Sequence, residues 1–236
     1  MRVPERFLPR HSDHAFTLVE LLAVIAIIAV AAAVTVPSLS GARTRMDVTK
    51  CVSRMRDLGL GIKLRTIDYS GEFPRSFHSA GAHREVHWPV SIAPYLGITA
   101  EPGTPEWDAA FQRFFRCPAD ENTDPTIFSY GLNVFYELDP DGDDYVGSPA
   151  QWRTIASVPR PARSILLGEP RSIPFGDHFM CHQWSKQAAA LNAVDSLRHG
   201  KVSNYLFVDG HVESLRLEQT FDPAAGINLW NPSLAK

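Results

Sequence analysis

The sequence predicts an α+β fold: a long amino-terminal helix, its first half transmembrane and its second half packed on an antiparallel β-sheet. Three observations carry that prediction. An apolar run near the amino terminus leads into a stretch with helical periodicity. Of the 18 prolines, 15 follow residue 70, where the apolar runs are short. Near the carboxyl terminus, Asp209-Gly210 separates two β-prone runs, as in a hairpin. A chain of 236 residues, 44% hydrophobic and 21% charged, suits one medium folded domain and excludes disorder throughout. A net charge of -3 leaves no basic surplus, so no nucleic-acid partner is expected.

Residues 16–36 read FTLVELLAVIAIIAVAAAVTV, with Glu20 as the one charge. As a helix rising 1.5 Å per residue they span roughly 30 Å, the hydrocarbon thickness of a bilayer. Glu20 lies one turn inside the run, where an unpaired carboxylate costs roughly 2.5 kcal/mol or more, so a partner is implied. A cleavable secretory signal, with Arg2, Arg6 and Arg10 ahead of the run and small residues at 31–33, is one plain alternative. A simple signal anchor is the other. Basic residues do not orient the span, because Arg43, Arg45 and Lys50 balance the three before it.

After Pro37 and Gly41, the apolar residues Val48, Cys51, Val52, Met55, Leu58, Ile62 and Tyr69 recur at helical spacing, predicting a buried face on one helix over residues 16–69. Gly59 and Gly61 weaken its end, and Ser70-Gly71 stops it. Strands are predicted at 128–135, 164–167, 202–208 and 211–217, with a helical turn at 88–96 and exposed loops at 99–106 and 137–149. Asp209-Gly210 predicts a two-residue type I′ turn.

The string Ala15-Phe16-Thr17-Leu18-Val19-Glu20-Leu21 resembles the processing site of type IV prepilins and type II secretion pseudopilins, which read Gly-Phe-Thr-Leu-(Val/Ile)-Glu. Pro37 stands where that family tends to place a proline, and Ala15 departs from its near-invariant Gly. The resemblance implies a type IV pilin-like fold in four parts: a leader at 1–15, a membrane helix at 16–36, an amphipathic continuation at 37–69 and a globular domain at 70–236. It also implies cleavage between Ala15 and Phe16 by prepilin peptidase, N-methylation of Phe16 and an assembly role for Glu20. The leader would be cytoplasmic and the domain periplasmic, on a single-pass inner-membrane protein that reaches the surface only after assembly. The implied partners are other pseudopilins or copies of itself, and the secretion machinery.

A second resemblance lies in His199, nine residues, then Asp209-Gly210, the signature of a bacterial pseudopilin-like family. Further pieces occur in the same order: Asp68-Tyr-Ser-Gly71, Trp88 through Leu96, Cys117-Pro-Ala-Asp120, Ser129-Tyr-Gly-Leu-Asn133 and Ile165-Leu-Leu-Gly-Glu169.

Catalytic signatures are weak. His83-Arg-Glu85-Val-His87 misplaces the glutamate of a zinc-protease motif. Asp177, His178, Cys181 and His182 could ligate a metal, with both histidines on one face if the segment is helical, which keeps a tethered metal enzyme as a rival. Asp139, Asp141 and Asp143 form an oxygen-rich loop that could hold calcium; a solvated acidic turn is favoured, and no cofactor is assigned. Cys51 reads as a buried free thiol, while Cys117 and Cys181 are candidates for a bond that spacing does not fix. His199 and Asp209 are expected not to pair, because a strand of seven residues between them covers roughly 20 Å. The expected role is a non-enzymatic filament subunit, or alternatively a membrane-anchored surface or adhesion protein using the same processing route.

Overall fold

The computed structural model describes residues 17–122, 124, 126–137, 151–172 and 176–236, with the backbone alone at 36–44. Thr44–Lys236 form one compact unit, and the residues ahead of Thr44 form another. In chain order the elements are α1 (Leu18–Asp68), α2 (Phe77–Ala80), α3 (Trp88–Ile92), α4 (Pro105–Phe114), β1 (Gly131–Asn133), β2 (Ile165–Gly168), β3 (His178–Phe179), α5 (Gln187–Ala193), β4 (Ser203–Phe207), β5 (Val212–Leu215), α6 (Leu217–Thr220), β6 (Phe221–Asp222) and β7 (Ile227–Asn228). The architecture is the expected α+β one, an amino-terminal helix with an antiparallel-rich sheet.

The five-stranded sheet has the order β3-β1-β2-β4-β5, and β6 with β7 forms a separate ribbon. Within Thr44–Lys236, α1 buries Cys51, Met55, Leu58 and Ile62, each 1% exposed or less. The two glycines of this stretch permit close approach. A Cβ at Gly59 would stand 2.9 Å from Leu206 of β4, and one at Gly61 would stand 3.1 Å from Leu96. Tyr69 does not join this face. It is exposed, and the Arg65 guanidinium lies 4.0 Å over its ring.

Several elements differ from the expected ones for identifiable reasons. The first strand shortens to Gly131–Asn133, because the Asn133 side chain accepts the Phe135 amide at 3.0 Å and starts a 3-10 turn over Val134–Tyr136. That side chain also donates to the Ile165 and Trp230 carbonyls at 2.8 and 2.7 Å. The sheet is not wholly antiparallel, since β1 pairs with β3 in parallel. Helix α4 begins inside the expected loop at 99–106, where Thr104 caps it by accepting the Trp107 amide, Pro105 follows, and Glu106 and Asp108 lie in its first turn.

The hairpin is present, but its loop is longer than two residues. Leu206 pairs with Val212, the Phe207 amide donates to the His211 carbonyl at 2.9 Å, and the Gly210 amide donates back to the Phe207 carbonyl at 2.9 Å. Gly210 has φ +100°, whereas Asp209 stays out of the left-handed region that a type I′ turn needs at both centres. The amides of Val208 and Asp209 reach the Ser164 and Pro161 carbonyls, which fixes the turn against the neighbouring chain.

Candidate functional site

Two features have chemical potential, one in each unit. In the first, every side chain from Leu18 to Thr35 is exposed, on a helix long and apolar enough to cross a membrane. Glu20 has a local partner. The Glu20 amide donates to Thr17 Oγ1 at 3.2 Å, while Glu20 Oε2 accepts the Thr17 amide at 2.9 Å and its hydroxyl at 2.7 Å. This is a capping box, which satisfies amides at the helix start, and its Thr-x-x-Glu spacing was readable in the sequence. Ala15 and Phe16 lie outside the described residues, as do Asp139, Asp141 and Asp143 of the acidic loop.

In the second unit, four segments bring Cys51, Cys117, Glu169 and His199 together. Their Sγ, Oε1 and Nε2 atoms all lie within 4.8 Å of one another, and all four residues are buried. Cys51 comes from α1, Cys117 from the chain after α4, Glu169 from the end of β2, and His199 from the turn ahead of β4. Cys51 Sγ donates to Glu169 Oε1 at 2.9 Å, the His199 ring meets the same oxygen at 3.0 Å, and Cys117 lies 3.5 Å from the ring. The Asn204 amide donates to the other carboxylate oxygen at 2.8 Å, and Tyr130 Oη stands 3.1 Å from Cys51 Sγ.

The electrostatics follow from enclosure and these contacts. Burial pushes the Cys51 thiol up, whereas the Cys51 hydrogen bond and then His199 bring Cys117 down to about 6. Burial alone would depress His199, but Cys117 and Glu169 outweigh it and raise the ring to about 10. Burial likewise opposes Glu169, yet His199 and Arg198 hold its carboxyl below the usual range. Arg198 itself is fixed by the Ser129 and Pro170 carbonyls at 2.7 and 2.6 Å and by Asp195 at 3.0 Å. The cluster therefore combines soft sulfur donors with a carboxylate and an imidazole, the donor types that hold a metal ion.

The remaining candidate residues are placed elsewhere. Asp209 accepts the His211 amide at 3.1 Å and meets its ring at 2.6 Å, so the two ends of the His-x9-Asp-Gly motif have different partners. Residues 177–182 are not a helix. His178 sits on β3 with its Nδ1 2.9 Å from Asp177, and His182 lies in a 3-10 turn, so the two histidines do not share a helical face. Cys117 and Cys181 are both free, and Cys181 Sγ donates to Asn133 Oδ1 at 2.9 Å. His87 packs edge-on to Phe77 and Phe128, and burial lowers its pKa.

Residues 10–36 match the family described as Prokaryotic N-terminal methylation motif. No curated protein and no solved structure matches the chain. The amino terminus thus carries a prepilin-type motif, which indicates processing by prepilin peptidase and, with the apolar helix, membrane anchoring.

Proposed function

We propose that this chain is a pseudopilin-like structural subunit, cut between Ala15 and Phe16, methylated on Phe16, and assembled with copies of itself or related subunits into a type II secretion or pilus-like filament. The observation that carries the reading is the methylation motif running into a helical stretch whose apolar side chains are exposed from Leu18 to Thr35. Such a surface is stable in lipid before assembly and against other apolar helices afterwards. The leader would then be cytoplasmic and Thr44–Lys236 would lie beyond the membrane. The role is structural and not enzymatic. Both Thr17 bonds fall on Glu20 Oε2, which leaves Oε1 for the methylated amine of a neighbouring Phe16 at low dielectric.

Two variants of Glu20 test this. Glu20→Val removes cap and charge together, whereas Glu20→Gln keeps a capping-box residue and removes only the charge. Both should insert in the membrane but be depleted from cross-linked assemblies recovered from cells. Normal assembly of both would refute the pairing, and normal assembly of Glu20→Gln alone would assign Glu20 to the cap.

A further inference from the structure

We propose that Cys51, Cys117, Glu169 and His199 form a structural site for a zinc-type divalent cation that staples α1 to three other segments. The inference is independent of the assembly reading. It rests first on convergence, since four donor atoms from distant parts of the chain lie within 4.8 Å of one another. In a tetrahedral zinc site, with metal–ligand bonds of about 2.0–2.3 Å, donor atoms stand roughly 3.3–3.8 Å apart. The 2.9, 3.0 and 3.5 Å edges need to open by only a few tenths of an ångström or already fit, and the other three, all within 4.8 Å, need to close by about 1 Å at most.

The surroundings support a ligand set. The Asn204 amide holds one Glu169 oxygen at 2.8 Å and so aims the other, Oε1, at the two sulfurs and the ring. The Tyr130 hydroxyl at 3.1 Å is placed to donate to a Cys51 thiolate. The His199 amide donates to the Val202 carbonyl at 3.3 Å, which fixes the backbone from which the ring projects. Apolar packing alone gives no reason to enclose a carboxylate, an imidazole and two thiols at one point, and removing an ion from water costs several kcal/mol. A doubly charged cation against two thiolates and a carboxylate compensates that cost, with Arg198 alongside.

Binding replaces protons and changes no oxidation state. The Cys51 thiol and the charged His199 ring give up their protons to solvent, Cys117 ligates as the thiolate, His199 through Nε2 as the neutral ring, and Glu169 as the carboxylate. All four donors come from the protein and all are buried, the pattern of a closed structural site. The His199 of the His-x9-Asp-Gly motif and the Cys117-Pro-Ala-Asp and Leu-Leu-Gly-Glu169 pieces thereby acquire one shared purpose.

The full chain, extracted from membranes in detergent without chelator, should carry about one zinc per chain by elemental analysis. After exchange, cobalt(II) should give the intense thiolate charge-transfer absorption of a sulfur-ligated tetrahedral site. Cys117→Ser with His199→Ala should lower bound zinc at least tenfold, and Glu169→Gln, which removes a charged ligand, should lower zinc affinity by about tenfold or more. Cobalt bands on the unmutated chain keep the test decisive should a variant fail to fold. Absence of zinc together with absence of the cobalt bands would overturn the proposal. So would zinc retained by the double variant, or a non-reducing mass two hydrogens light that locates a Cys51–Cys117 disulfide.

Discussion

Gly168 is the position where one added methyl group has the most calculable effect. A Cβ there would stand 2.7 Å from Trp230 Cη2 and 3.2 Å from Phe179 Cε2, whereas ordinary contact begins at 3.4 Å. The Trp230 ring must therefore retreat by roughly 0.7 Å or more in a core packed without spare volume. It cannot do so freely, because it is fully buried and flanked by the Phe179, Trp184 and Tyr205 rings at 4.8, 5.0 and 5.9 Å between centroids. Overpacking of this kind costs about 1–3 kcal/mol, and relief of glycine's unfolded-state entropy returns less than about 1 kcal/mol. Gly168→Ala should therefore lose about 1–2 kcal/mol, lowering Tm by roughly 2–8 °C for a domain of this size. Tryptophan fluorescence during thermal unfolding of the full chain in detergent reads it. Gly81→Ala is the control, since Gly81 has helical φ and open space around its would-be Cβ. A Tm for Gly168→Ala equal to or above that of Gly81→Ala would refute the packing argument.

Two further perturbations follow from buried charge. Glu137 is fully enclosed, accepts the Ser76 amide at 2.6 Å and the Ser79 hydroxyl, and burial raises its pKa. The folded state then holds that proton at a pH where the unfolded chain has lost it, so stability falls as pH rises from the ordinary glutamate range through the raised value. Glu137→Gln should flatten this fall of Tm above the ordinary glutamate range, and an unchanged slope would exclude Glu137 as its source. Arg198→Met should cost about 2–4 kcal/mol in denaturant unfolding, because it leaves the Ser129 and Pro170 carbonyls without their donor and removes one of the two guanidinium groups at Asp120, Arg116 remaining at 3.6 Å. A loss below about 1 kcal/mol would show that solvent replaces the guanidinium.

The long helix, the helical turn at Trp88 and the carboxyl-terminal hairpin were legible because periodicity and turn chemistry are local. The α4 start was legible too, in Thr104-Pro105-Glu106, but the density of proline outweighed it. The parallel β1–β3 pair was not, since nothing local distinguishes a two-residue strand from a loop. Gly59 and Gly61 read as weak helix, yet they are what admits Leu206 and Leu96. The cluster was hidden for a different reason. Its hydrogen-bonded pairs are separated by 118, 82 and 30 positions, far beyond the spacing of any local metal motif. His199 and Glu169 were visible only as pieces of a resemblance, Cys117 also as a candidate for a bond with Cys181, and Cys51 looked like one more apolar position on a helix face.

The measurement that bears most directly on the account is the amino terminus of the mature protein. Intact-mass and terminal-peptide analysis of membrane-extracted chain should find residues 16–236, beginning at Phe16 and heavier by one methyl group. An unprocessed Met1 terminus, or a terminus after Ala33 as an ordinary signal peptide would leave, would contradict it.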